Sequence, residues 1–513
     1  MIRKKVITRV LESNEDYNII EAPQGNTLYA DQFTDEVPFC DEDREGFRPK
    51  RIEDVFEHYQ PCKKGIVLET EEGETVFEDF DFKSIRDFED KQLIEHSRIL
   101  GGLKAKINMY NTLIRQFQSL SDGACSVGGT TQEMELNHWL NLFEHIGKDY
   151  DEVLTSFKIK KDKAKECLRN NLFVVHDEIK QLEITYRTLD SFFANYGCDN
   201  TNILTLMNVN KSELEMYDSD DTLAIRDELE RHYDRLRLNN NYSLLVIPGY
   251  LGNSTTIRMW ADTAYRNKVI MVTDFKDRLN FEMLKEELDD ASLQGQDTHL
   301  ANVVMTCNYL LGRKQSELAM EDDDVFIPGS AALAGRMTNP ETAISIGAAG
   351  KKHGTLKGVH GVRLELRNPE IVTLAEKGLI PMTEDNEDVI ALSTKTLYHG
   401  SIKGLREYPT IRVFNWISKV IKNFVQDKAY MFWDSRLKYE LRDDIFDFLN
   451  DYKGPDNLIE NFKLKKLDQD IRTKDINIQI ELKLFFFQEP YLMNLLFHSS
   501  IDGMWMDEIS IVS

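Results

Sequence analysis

Near the carboxyl end of the chain, apolar and polar positions alternate one for one. Ile476, Ile478, Ile480, Leu482 and Leu484 are apolar, and Asn477, Gln479, Glu481 and Lys483 stand between them. A period of two belongs to a β-strand with one dry and one wet face, and the β-branched content favours extended backbone. The backbone groups of such a strand need partners, either within its own subunit or on a neighbour.

Upstream the period changes. Between residues 96 and 120, Ile99, Leu103, Ile107, Tyr110, Leu113, Ile114 and Phe117 recur at three- and four-residue steps, which predicts an amphipathic helix. The pattern ends at Ser121-Asp122-Gly123, and Gly128-Gly129 mark a hinge or linker. Further helices are predicted around 132–147 and 161–173, and another from Asp177 to Ala194 with Ile179, Leu182, Tyr186, Leu189 and Phe193 on one stripe. A strand (Ile203–Val209), a helix (219–238), a strand (Tyr242–Ile247), a helix (254–267) and a strand (Val269–Val272) follow. That succession predicts an α/β layer with some parallel pairing. Residues 340–400 read as antiparallel, with Val362–Leu366 and Val389–Leu392 as short strands. Two apolar-striped helices, 411–426 and 435–450, precede a turn at Lys453-Gly454-Pro455-Asp456 and then the alternating strand. The first 95 residues carry weaker signals. Ile2, Val6 and Val10 share one side of a candidate N-terminal strand, Asp35–Gly46 is acidic and turn-rich, and Ile66–Leu68 and Thr75–Phe77 are strand-like.

These patterns define a mixed α/β fold in four stretches: an N-terminal arm with small β pieces (1–95), a helical region (96–175), an α/β core (176–400) and a C-terminal α+β domain with the linker strand (401–513). A chain of 513 residues, 41% hydrophobic and 29% charged, has ample material for such a core. The formal charge of −25 argues against nucleic acid, whose phosphates demand a basic face, and suits a protein kept soluble at high concentration by self-repulsion. The start, Met1–Val10, is basic but lacks an apolar h-region, and no run approaches the roughly 20 apolar residues that span a bilayer. Six scattered cysteines form no CxxC pair, the usage of a reduced, cytosolic protein.

Motifs of catalysis and ligand binding break down residue by residue. Gly347–Gly354 resembles a phosphate loop, but Ser345 replaces its first glycine and Lys352 its Ser/Thr, so it reads as a glycine-rich loop between strands. Asp41, Asp43 and Gly46 fit a calcium loop whose twelfth position is Ile52 rather than glutamate. His138 and His145 share a helical face without a carboxylate to complete a metal set. Lys158–Lys163 is a basic island that reads as a solvated helix face. The sequence implies no catalytic residue, cofactor or metal.

Several segments, in this order, resemble the large subunit of the type VI secretion contractile sheath, the TssC/VipB-like family. Ile179–Leu189 is similar to its I-x-x-L-E-x-x-W-R-G-L signature: Ile179, Leu182, Glu183, Arg187 and Leu189 match, while Tyr186 replaces tryptophan and Thr188 glycine. Met207–Leu214 resembles L-N-V-S-K-x-E-L, Tyr242–Val246 resembles Y-G-L-L-V, and Leu374–Pro381 resembles L-x-x-x-G-F-I-P. The resemblance covers about residues 130–500, and its departures imply a divergent branch such as that of the Bacteroidota. It implies a cytoplasmic bacterial protein that acts by assembly. Its partners would be a small sheath subunit (TssB/VipA-like), copies of itself in a helical lattice, an inner tube protein (Hcp-like) and a baseplate. A ClpV-like AAA+ disassembly ATPase belongs to the same set, although its recognition helix has no counterpart that aligns here. On this reading Ile476–Leu484 is an inter-subunit strand, and the stripe of Ile99, Leu103, Ile107 and Leu113 faces the small subunit. The other readings of the chain are a sheath protein of a related contractile injection particle or phage-like tail, and an α/β nucleotide-binding enzyme.

Overall fold

The computed structural model describes residues 25–126, 150–197, 202–234, 238–315, 324–339, 347–428, 431, 433–454, 457–470, 472–484, 490–500 and 503–512. The candidate N-terminal strand of Ile2, Val6 and Val10, the helix expected at 132–147 and the glycine pair 128–129 lie outside them.

In chain order the elements are β1 (Thr27–Asp31), α1 (Ile52–Tyr59), β2 (Cys62–Glu69), β3 (Thr75–Asp81), α2 (Asp90–His96), α3 (Arg98–Ser126) and α4 (Tyr150–Asn195). Then come β4 (Leu204–Asn208), α5 (Asp220–Tyr233), β5 (Leu244–Val246), α6 (Ser254–Arg266), β6 (Ile270–Asp274), α7 (Phe281–Ala291) and β7 (Val303–Thr306). β8 (Leu310–Arg313), β9 (Val325–Ile327), α8 (Ser330–Thr338), α9 (Gly350–His353), β10 (Thr355–Leu356), α10 (Asn368–Glu376), β11 (Leu379–Ile380), β12 (Met382–Asp385) and β13 (Asp388–Ala391) follow. The chain continues with α11 (Tyr408–Asp427), α12 (Ser435–Asp451), β14 (Ile459–Gln469), β15 (Ile476–Leu484), β16 (Tyr491–Ser500) and β17 (Gly503–Val512).

Two compact units divide the chain. The smaller holds Glu53–Tyr186 and Lys314–Val325, and the larger holds the rest. In the smaller unit, β2 and β3 form an antiparallel ribbon. Its core stacks Phe82 on Phe88 at 4.3 Å and sets Tyr186 4.4 Å from Phe56. Asn171 on α4 bonds both backbone groups of Glu69 at the end of β2, at 2.9 and 2.8 Å.

Two large sheets dominate the larger unit. The first has six parallel strands in the order β11-β7-β6-β5-β1-β4. The second is four-stranded and antiparallel, in the order β14-β15-β16-β17. β10, β13 and β12 form a small third sheet. Helix starts follow side-chain caps: Ser219 before α5, Asn253 before α6, Asn280 before α7 and Asp434 before α12 each accept from an N–H of the first turn.

Several expectations change. β1 sits between β4 and β5 with all five residues buried, so the stretch read as an arm supplies a central strand of the core. A short strand buried on both faces shows no alternation. The helices expected at 161–173 and 177–194 are one element, α4, because nothing between them breaks a helix. α3 runs through Gly123 to Ser126; one interior glycine costs only about 1 kcal/mol. Val362–Leu366 is not a strand. It makes one bridge, Leu310 to Val362, and both backbone groups of Leu364 bond the Asn308 side chain instead of a ladder. β14, β16 and β17 escaped the pattern reading; β14 carries two register shifts that interrupt its alternation.

Candidate assembly interface

The alternating strand is β15, and its apolar side chains face inward. Ile476, Ile478, Ile480, Leu482 and Leu484 are all buried, packed with residues of α11, α12 and β16 in one core. The wet face carries charge pairs between adjacent strands: Lys465 with Glu481 and Lys483 with Glu460, each at 2.7 Å. Both edges of β15 are occupied within its own chain, by β14 from Ile459↔Leu484 to Gln469↔Ile476 and by β16 from Ile476↔Phe497 to Leu482↔Tyr491. β15 therefore has no edge left for a strand of a neighbour, against the inter-subunit role expected of it. Among the described residues, β14 and β17 have one strand partner each and form the two rims of the sheet.

α11 ties this sheet to the parallel one. Val413, Trp416, Ile417, Val420 and Ile421 belong to the core under the four-stranded sheet. Three buried cations on the same helix reach backbone carbonyls of the parallel layer. Arg412 Nη1 donates to Met337 O at 3.0 Å, Lys419 Nζ to Tyr242 O at 2.5 Å, and Lys422 Nζ to Tyr233 O at 3.2 Å. Lys422 also meets Asp234 at 3.0 Å and lies over the Tyr233 ring. Burial lowers the pKa of all three, Arg412 to about 10 and Lys419 to about 7. The helix is therefore fixed to both sheets.

The carboxyl ends of the parallel strands are where an α/β enzyme holds its ligand. Here Asp31 ends β1 and Asp274 ends β6, both buried. Asp31 Oδ1 accepts from Lys211 Nζ at 2.7 Å and from the Gln32 N–H at 2.8 Å. Asp274 accepts from the Gly249 and Ser330 N–H groups, each at 2.9 Å, and from the Thr306 and Ser330 hydroxyls. Burial raises both carboxyls; Lys211 opposes the shift at Asp31, and the hydrogen bonds oppose it at Asp274. Asp274 thus clasps β6 to β7, to α8 and to the segment after β5, and Asp31 joins β1 to the segment after β4. Among the described residues, no three His, Cys, Asp or Glu side chains are placed to share a metal ion. Gly347–Gly354 holds one helical turn, α9, before β10.

On α4 the signature residues Leu182, Glu183, Tyr186 and Leu189 are buried, and burial raises the Tyr186 hydroxyl well above its usual range. Arg187, next to Tyr186, opens the α4 segment that belongs to the larger unit. On α3, Leu103 and Ile107 are buried inside their own unit, while Ile99 and Leu113 are half-buried. No described helix is long and apolar enough to cross a membrane.

A parallel α/β body joined by one helix to a four-stranded antiparallel sheet defines the class as a mixed α/β protein. The family described as Type VI secretion system TssC/VipB, central domain, matches residues 174–399, and the one described as TssC/VipB-like, C-terminal domain, matches residues 407–509. The chain belongs to the TssC/VipB family and is a subunit of a contractile sheath. Solved structures with some likeness include the helical sheath of the anti-feeding prophage in its contracted state. That likeness is 16% identical over 59% of this chain and 79% of that one, with a TM-score of 0.44. Another is the sheath tail protein of Desulfitobacterium hafniense, 13% identical over 55% of this chain and 62% of that one, with a TM-score of 0.38. No curated protein sequence matches the chain.

Proposed function

We propose that this chain is the large subunit of a type VI sheath in the bacterial cytoplasm. It pairs with a small TssB/VipA-like subunit and surrounds an Hcp-like tube above a baseplate, and a ClpV-like ATPase can recycle it. It works without catalysis, by changing the packing of rigid subunits whose terminal sheets stay linked. The observation that supports this reading is the terminal sheet itself: four strands with two rims whose backbone groups can accept a further strand. The inter-subunit role expected of Ile476–Leu484 becomes an indirect one, in which these residues form the core that holds β14 and β17 in place. Toward the small subunit, Ile99 and Leu113 are the half-buried members of the α3 stripe that still offer apolar surface. Co-expression with the neighbouring small-subunit gene, followed by negative-stain microscopy, tests the reading. Long hollow tubules are expected, and soluble chains that never associate would refute it.

A further inference from the structure

An apolar knob stands on an acidic loop of the larger unit. Phe39 is 93% exposed, and Asp35, Glu36, Asp41, Glu42 and Asp43 around it are exposed as well. The loop is held in place. Pro38 is buried, the Asp43 carboxylate accepts from the Phe39 and Cys40 N–H groups at 3.0 and 3.2 Å, and buried Arg44 bonds Asp221 at 2.5 Å. A large aromatic held rigidly in water invites a contact, because little conformational freedom is left to lose on binding.

The same unit has a cavity of about 500 Å³ with the opposite character. Lys377, Lys395, His399 and Arg406 line it together with the Tyr398 ring, and Glu376 is the one carboxylate among the lining residues. Lys377 pairs with Asp289 and Lys395 with Glu407, but Arg406 is held only by the Gly400 carbonyl, at 2.7 and 3.1 Å. Its charge has no carboxylate partner among the described residues. Two of the three lining cations are thus neutralised in place, and Arg406 is the charge left to meet an incoming carboxylate.

Knob and cavity lie at opposite corners of one sheet. The Phe39 loop follows the carboxyl end of β1 and is tied to the carboxyl end of β4, where Asn208 bonds the Phe33 N–H at 2.8 Å. The cavity lies at the amino ends of β7 and β11, where the Leu397 N–H donates to Val303 O and Gly378 precedes Leu379. β4 and β11 are the two outermost strands of the six. At about 4.8 Å per strand, roughly 24 Å separates them, so a chain cannot fill its own cavity. A contact between two different patches of one molecule is heterologous, and when it does not close on itself it propagates into a helical filament.

We propose that the Phe39 loop of one copy docks in the Arg406 cavity of the next, the aromatic ring entering the hollow and a flanking carboxylate meeting the Arg406 guanidinium. This inference rests on the sheath reading above and names one of its lattice contacts. Exposed Cys40 beside Phe39 supplies a reporter thiol. A His399→Cys chain, co-expressed with the small-subunit gene, is assembled into tubules, oxidised and run on a non-reducing gel. A ladder of disulfide-linked multimers of this chain is expected, because a docked pair brings the two Cα atoms within about 7 Å. Cys40→Ser abolishes the ladder, and Phe39→Ser, at a surface position that leaves the fold intact, weakens it at least about tenfold. Tubules without a ladder overturn the proposal while the sheath reading stands. A ladder unchanged by Phe39→Ser, or Cys40 linked to the small subunit or tube instead, overturns it too. A native chain that forms no tubules overturns the sheath reading and this contact with it.

Discussion

Lys268, Lys419 and Lys422 are three buried ammonium groups in the larger unit, and each raises the cost of charging the others. Like Lys419, Lys268 is displaced far from the ordinary lysine range. Its ammonium lies 3.9 Å from the Tyr265 ring centroid, Asp262 offers a weak opposing field, and burial followed by Lys419 and Lys422 lowers its pKa to about 7. Between about pH 7 and 10 the unfolded chain therefore holds a proton that the folded chain has given up. By linkage, stability climbs as pH rises through that window, and below pH 7 the penalty is fully present. Lys268→Met removes the charge, at about 1.4 kcal/mol per unit of pKa displacement. The variant is expected to unfold at higher temperature at pH 7 and to show a flatter rise in Tm toward pH 10. An unchanged slope in a pH series of melts would show that Lys268 is already well solvated. At this scale the sequence was partly legible. Tyr186 and Leu189 were placed on a core stripe by spacing alone and are buried. The buried lysines were not, since α11 has the same composition whether its cations meet water or carbonyls.

At the scale of elements, β15 shows what periodicity can and cannot say. Alternation identified the strand and its dry face, and all five apolar residues are buried. It did not identify the partner, because hydrogen bonds run in the plane of the sheet while side chains report only its faces. Ile480→Asp puts a carboxylate in the middle of the terminal core, and it is expected to melt the four-stranded sheet rather than to block assembly of a folded chain. The loss is at least about 3 kcal/mol, and hydrogen exchange over 459–512 would report it; protection equal to that of the native chain would sink the claim. The rims respond differently. In an edge strand, alternate N–H groups point inward to the neighbour and outward to solvent. Proline walked along β17 is therefore expected to alternate. At inward positions it lowers Tm, and at outward positions it leaves Tm in place but prevents tubule growth under the microscope. Tubules from every folded variant would exclude β17 as a joining edge.

For the whole molecule, the charge of −25 opposes packing of many copies side by side. Strand addition at a rim uses neutral backbone groups, whereas the net repulsion is Coulombic and falls with the Debye length, about 10 Å at 0.1 M salt and 3 Å at 1 M. The critical protein concentration for tubules, measured by sedimentation with the small subunit present, is expected to fall as salt rises from 0.1 M toward 0.5 M. A rise would mean that charge pairs dominate the lattice over strand edges and the proposed docking of the Phe39 ring.

Local spacing along the chain dictates which faces are dry. Spacing fixed the stripes of α3, α4, α11 and α12 and the alternation of β15, and the ordered motifs from Ile179 to Pro381 carried the family. These are local signals, readable because each side chain's burial repeats with the period of its own backbone. Long-range packing alone sets β1 between β4 and β5, takes both edges of β15, and puts Phe39 and Arg406 at opposite corners of one sheet. Those facts depend on which distant segment supplies a hydrogen bond or closes a cavity, and no local period records the identity of a partner hundreds of residues away.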